Sequence, residues 1–133
     1  MSAAIYYHPE AYSTSGPKLM GRNAAGESFL RAFFEHTESS EFWIQVENIQ
    51  HAKDFQQKCI SSGRSEPVKA VDRNSISALS SPGIVFHPGP FLSKPAYDRA
   101  VAKGNNSWSL CGITHTTSSA RVMDEISNFL VAP

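Results

Sequence analysis

The sequence predicts an α/β fold: a doubly wound, mainly parallel five-stranded sheet with helices on both faces. Two observations predict it. Strand-like and helix-like segments alternate five times along the 133 residues, and such alternation builds a parallel sheet joined by crossover helices. The fifth strand-like run is also apolar on both faces, as a strand covered from both sides tends to be. The expected strand order is 3-2-1-4-5, a Rossmann-like sheet in one domain spanning residues 1–133.

The elements follow in order. "SAAIYYH" is rich in β-forming residues and ends at Pro9, which cannot continue a ladder. A polar loop, "AYSTSGPKLMGRN", comes next. From Ala25 the apolar residues Phe29, Ala32 and Phe33 recur at helical spacing, with Glu27 in the first turn and His36 near the end to suit the macrodipole. "EFWIQVEN" is the second strand. "HAKDFQQKCISSG" is the next helix, with Phe55, Cys59 and Ile60 facing inward and Gly63 ending it. "VKAVD" is a strand, and "RNSISALSS" a short helix that carries Ile76 and Leu79. "GIVFH" is the fourth strand, closed by "PGP". "KPAYDRAVAKG" is a helix with Pro95 near its start and Gly104 beyond its end. "WSLCGITH" is the fifth strand, and "SSARVMDEISNFL" the last helix, with Val122, Ile126, Phe129 and Leu130 on one side.

Composition narrows the function. Twelve basic residues balance 12 acidic ones, so no strong field favours nucleic acid. No apolar run approaches membrane-spanning length, and the N-terminus lacks the charged and apolar regions of a signal peptide. Cys59 and Cys111 lie far apart in a chain of α/β pattern, which points to a reduced, cytoplasmic protein without a disulfide or a metal site. Cys111, inside the fifth strand, is the thiol expected to be buried.

"MGRNAAGESFLRAFF" has the outline of a phosphate loop before a helix. Gly21 and Gly26 stand at the spacing of G-x-x-x-x-G-K-[ST], and Ser28 fills the last position. Glu27 occupies the place of the lysine, where a carboxylate repels the phosphates it should neutralise. The segment also does not follow a strand directly, so it is not a Walker loop. Two readings stay open. The amides around Ala24 to Glu27 begin a helix and could hold an anion, with Arg22 forking onto a phosphate or carboxylate. Alternatively the glycines only turn the chain.

Ligands of doubly wound sheets bind outside the carboxyl ends of the strands, at the switch point. His8 ends the first strand, His87 the fourth and His115 the fifth. In the order 3-2-1-4-5 these strands are neighbours, so the three imidazoles are expected to line one crevice. No H-E-x-x-H or C-x-x-C accompanies them, which leaves zinc without a motif. No G-x-S-x-G elbow supports a serine hydrolase.

At "GPKLMGRNAAGESFLRAF" and "LCGITHTTSSARVMDEI" the sequence resembles the N-terminal domain of GT-B glycosyltransferases of the group 1 type. In that family the loop after the first strand lies beside the donor diphosphate or the acceptor. A histidine after a later strand contacts the sugar or acceptor in the interdomain cleft. Carried over, Gly21 and Arg22 belong to the first element, and His115 is the catalytic residue that positions a hydroxyl. His8 and His87 match no family motif and enter as substrate-binding residues on sheet geometry alone. The first loop reads "MGRNAAG" where the family has adjacent glycines.

The resemblance implies the acceptor-side part of an enzyme that moves a sugar from a nucleotide-sugar donor to an unknown acceptor, with no cofactor. The family's second Rossmann-like domain, which carries an E-x7-E motif, has no counterpart in this chain. The chain is therefore expected to be a truncated N-terminal piece, inactive by itself, whose incomplete sheet edge favours self-association. The alternative is a non-catalytic α/β module that binds a small anionic ligand or a partner protein.

Overall fold

The computed structural model describes residues 2–13, 21–114 and 120–133, and of Arg22 only the backbone. Five strands form one all-parallel sheet: β1 (Ala4–Tyr6), β2 (Phe42–Gln45), β3 (Val68–Val71), β4 (Ile84–Phe86) and β5 (Ser109–Cys111). Their order is β3-β2-β1-β4-β5, as the alternation of segments predicts. Ile5 of β1 stands level with Ile44 on one side and Phe86 on the other. The chain reverses its direction of travel across the sheet between β1 and β4, which makes their carboxyl ends the switch point.

Among the described residues, four α-helices and two 3₁₀ segments lie between or after the strands. The α-helices are α1 (Gly21–His36), α2 (Ile49–Ser61), α3 (Ser93–Ala102) and α4 (Ala120–Val131), and the 3₁₀ segments are Pro9–Tyr12 and Arg73–Ser80. Their starts and stops have local causes. The side chain of Asn48 accepts the His51 N–H at 3.0 Å and so caps α2. Gly63, at φ +84°, takes the left-handed turn that ends it, and the Arg64 N–H returns to the Cys59 carbonyl at 3.1 Å. Asp72 and Ser75 form a reciprocal capping box ahead of the second 3₁₀ segment. The first turn of α3 is held from outside. Glu125 of α4 accepts both the backbone N–H and the hydroxyl of Ser93, which docks α4 onto α3.

Each face of the sheet has its own core. On one face Ile5, Tyr7, Phe42, Ile44 and Val46 meet Leu30 and Phe34 of α1 and Phe55 and Cys59 of α2. On the other, Ala4, Val71 and Val85 meet Leu79 and Trp108. Helical segments therefore cover both faces, as in a Rossmann-like fold. Among the described residues no helix is long and apolar enough to cross a membrane.

Several expectations need correction. Helix α1 includes Gly21 to Ala24, upstream of Ala25, and Pro9–Tyr12 is a 3₁₀ turn rather than loop. Gly26 explains both. A Cβ there would lie 1.9 Å from the Ala11 carbonyl oxygen, so the helix and the turn meet backbone to backbone. Asn23 adds a bond from its side-chain amide to the Glu10 carbonyl. The inward stripe of α1 is thus Asn23, Gly26, Leu30 and Phe34, one position on from the expected Phe29 and Phe33, a rotation of about 100°. Phe29 still stacks on Phe86 at 4.3 Å, half-buried at the margin, while Ala32 is exposed.

Of the two thiols, Cys59 faces inward as its place on α2 predicts, whereas Cys111, expected to be the buried one, is not. Cys59 is buried and Cys111 exposed. β5 is the edge strand, and Glu125 and the terminal Pro133 carbonyl tie α4 to Ser93 and Arg99 of α3. That leaves Ser109 and Cys111 of β5 uncovered, so the strand is not apolar-packed on both sides. Ile60 and Leu130, expected inside, face solvent at 61% and 79% exposure. Each lies one residue beyond a position that does pack, Cys59 and Phe129.

Candidate functional site

A crevice of about 400 Å³ opens over the carboxyl ends of β1 and β4, within the size range of small-molecule sites. Tyr6 and His8 come from the end of β1, and Glu10 and Ala11 from the 3₁₀ turn. His87 to Phe91 form the wall after β4, and Val122 of α4 closes the far side. Each part has a reason to be there. The ladder continues past the strands, with the Tyr7 N–H on the Gln45 carbonyl at 2.9 Å and the His87 N–H on the Cys111 carbonyl at 2.7 Å. His8 caps the 3₁₀ turn by accepting the Glu10 N–H on Nδ1 at 3.3 Å, and the Tyr12 hydroxyl reaches back to the Tyr6 carbonyl at 2.9 Å. Gly112 lets the chain after β5 press against the "HPGP" wall, since a Cβ there would sit 2.6 Å from the Gly89 carbonyl oxygen.

His87 is the most unusual group in the crevice. It is 6% exposed, and its ring stacks on Tyr6 with centroids 5.1 Å apart and planes 17° from parallel. Burial lowers its pKa from 6.5 to about 4, because a charged imidazolium would lose its hydration. At neutral pH the ring is therefore uncharged. Its Nε2 is buried and finds no hydrogen-bond partner among the described residues. A buried polar atom left unpaired costs free energy, and the residue that carries it lines the crevice.

Tyr6 is half-buried and donates its hydroxyl to Glu47 at 2.7 Å. Burial first, and then that carboxylate, raise its pKa above the usual phenol range. The phenol stays protonated and keeps the Tyr6 ring as an apolar floor. Phe91, which lines the crevice, carries the Arg121 guanidinium 5.1 Å from the centroid of its ring.

The structure places the residues singled out from sequence as follows. His8 and His87 both lie at the carboxyl edge and both line the crevice. His115 lies outside the described residues. Gly21 is exposed and does not line the crevice; it opens α1, with nothing within 4 Å of a built Cβ. Arg22 belongs to the first turn of α1 rather than to a loop. Glu27 lies in the second turn of α1 and pairs with Arg31 at 3.1 Å, so it and its amide are inside the helix rather than at its start. Sequence reasoning missed Tyr6, Phe91 and Arg121. Tyr6 was readable in principle, since it neighbours His8 at the end of the strand nearest the switch point. Phe91 and Arg121 meet only through the packing of α4.

No family model, curated protein or solved structure matches the chain.

Proposed function

We propose that this crevice binds a sugar-like, hydroxyl-bearing acceptor, and that the chain is the acceptor-side part of a glycosyltransferase using a nucleotide-sugar donor. One observation carries the reading: an uncharged, buried His87 whose Nε2 has no partner among the described residues, stacked on Tyr6 beside a crevice at the switch point. A neutral imidazole nitrogen can exchange a hydrogen bond with a hydroxyl without holding a charge that water would contest. The Tyr6 and Phe91 rings offer flat apolar surface to the C–H face of a sugar ring. Groups already fixed in place need no reorganisation when the hydroxyl becomes a nucleophile. His115, given the hydroxyl-positioning role by the family resemblance, and Arg22, which the resemblance sets beside the donor diphosphate or the acceptor to hold an anionic group, complete the reading.

The rival reading is a non-catalytic module for a small anion. Arg121 favours it, because a cation over the crevice-lining Phe91 ring can fork onto a carboxylate or phosphate. Ligand-observed NMR on the chain separates the two, with methyl glycosides, nucleotide-sugars, inorganic phosphate and simple carboxylates as probes. The glycosyltransferase reading expects saturation transfer to glycoside ring protons, lost in His87→Phe and retained in Arg121→Ala. Binding confined to the anions and lost in Arg121→Ala would replace it with the module.

A further inference from the structure

We propose that His8, Glu47 and His51 form a binding site for a divalent transition-metal ion, zinc(II) being the best match, on the rim of the crevice above β1 and β2. One ligand atom from each of the three lies within 4.8 Å of the others. The fold brings them together through strand register. Tyr6 is level with Gln45, so the residues two further along each strand, His8 and Glu47, emerge side by side at the carboxyl edge. The Asn48 cap then starts α2 so that His51, in its first turn, meets His8, with ring centroids 4.6 Å apart.

The donor set is selective. Two imidazoles and one carboxylate are the ligands of open, catalytic-type zinc sites, which leave the fourth position to water or to an oxygen of the substrate. Magnesium and calcium prefer all-oxygen shells and are disfavoured. Tetrahedral zinc with bonds of about 2.0–2.1 Å holds its donors about 3.3 Å apart. The three side chains therefore draw in by at most about 1.5 Å, within reach of side-chain torsions because Glu47 is exposed.

The surroundings suit an ion. The Tyr6 hydroxyl occupies one oxygen of Glu47, an outer-shell contact that orients the carboxylate and leaves the other oxygen for metal. Nδ1 of His51 is buried with no hydrogen-bond partner among the described residues. The opposing cost is up to two long hydrogen bonds, since Asn48 Nδ2 lies 3.5 Å from His51 Nε2 and that contact is lost if this nitrogen binds the ion. His8 accepts the Glu10 N–H on Nδ1 at 3.3 Å, and coordination through either ring nitrogen gives that contact up. An ion here carries net positive charge after Glu47 is counted. Because His8 also lines the crevice, the open position is available to an anionic oxygen bound there.

The test is zinc titration of the tag-free chain by chelator competition, in a Cys111→Ser background that removes the exposed thiol as a rival ligand. One zinc per chain is expected. Glu47→Gln and His51→Gln should each weaken binding at least about 100-fold, beyond the 10–100-fold typical of losing an outer-shell partner. Tetrahedral absorption bands of cobalt(II) should appear in the parent and vanish in both variants, with far-UV circular dichroism unchanged. The absence of stoichiometric binding overturns the site. So does equal affinity in the parent and Glu47→Gln, which would put the ion elsewhere.

Discussion

Gly26→Ala tests how the crevice is supported. In most helix interiors this change stabilises, by about 1 kcal/mol, because alanine has the better helix propensity. Here the new methyl would lie 1.9 Å from the Ala11 carbonyl oxygen and 3.0 Å from its carbon, both main-chain atoms. No side chain can swing aside. Helix α1 and the 3₁₀ turn must part by about 1 Å even to reach the closest separations that real Cβ atoms show. Overpacking of this kind costs about 1–3 kcal/mol and more where backbone must move, so the net loss should be about 2 kcal/mol once propensity is subtracted. For a chain of this size that is a fall in melting temperature of roughly 8 °C. Urea denaturation gives the value directly, with Gly21→Ala as the control. Gly21 meets nothing within 4 Å of a built Cβ, so its alanine variant should match or slightly exceed wild type. Because Glu10 and Ala11 line the crevice, Gly26→Ala should also weaken ligand binding there. A Gly26→Ala protein as stable as Gly21→Ala would refute the backbone contact and the account of why α1 begins where it does.

Further outcomes follow from the buried titratable groups. His87 binds its proton more weakly folded, at about 4, than unfolded, near 6.5, so between these values the unfolded chain holds more protons and stability rises with pH. The contribution is complete above pH 6.5 and lost as pH falls towards 4; it amounts to about 3 kcal/mol. Urea midpoints at pH 4.5 and 7 should therefore differ more for wild type than for His87→Phe, and equal differences would contradict a buried neutral ring. The two thiols should separate in a disulfide-reagent assay: exposed Cys111 reacts at once. Cys59 should wait for unfolding, because burial first, and then Glu66, raise its pKa against the opposing pull of Arg64. Fast reaction of both thiols in the native protein would show that α2 does not seal its core.

How much was legible in the sequence depends on the range of the forces involved. The strand order was, because alternation of segments, short crossovers and handedness leave few topologies, and β3-β2-β1-β4-β5 is one of them. His8 and His87 at one edge followed from that order without any motif. The inward face of α1 was not. Periodicity in apolar residues pointed to Phe29 and Phe33, whereas the seam is set by Gly26, a residue that contributes through the absence of a side chain. Cys111 was misplaced for a related reason. An apolar strand looks the same whether it is central or at an edge, and what covers it is decided by the Glu125–Ser93 and Arg99–Pro133 contacts between distant segments. Glu47 and His51 carried no signal, since their meeting with His8 depends on register between two strands.

The carboxyl edge concentrates chemistry here because the fold leaves polar groups there that it does not itself satisfy. Along β1 and β4 the side chains below this edge enter dry cores on either face, where polar groups are tolerated only when paired. At the edge the strands end, the helices have not yet closed over, and Tyr6, His8 and His87 stand between the two regimes. Tyr6 illustrates the consequence. Its ring stacks on His87 in the crevice while its hydroxyl fixes Glu47 beside His8 and His51. One side chain thus links the wall of the proposed acceptor crevice to the proposed metal site, and a ligand that shifts the ring must also shift the carboxylate. Tyr6→Phe separates the two roles. It keeps the stacked ring and removes the bond to Glu47, so sugar binding should persist while zinc affinity falls by about 10–100-fold, as for loss of an outer-shell partner. Loss of both together would mean that the hydroxyl holds the whole edge in shape, and that the crevice and the metal ligands are a single site.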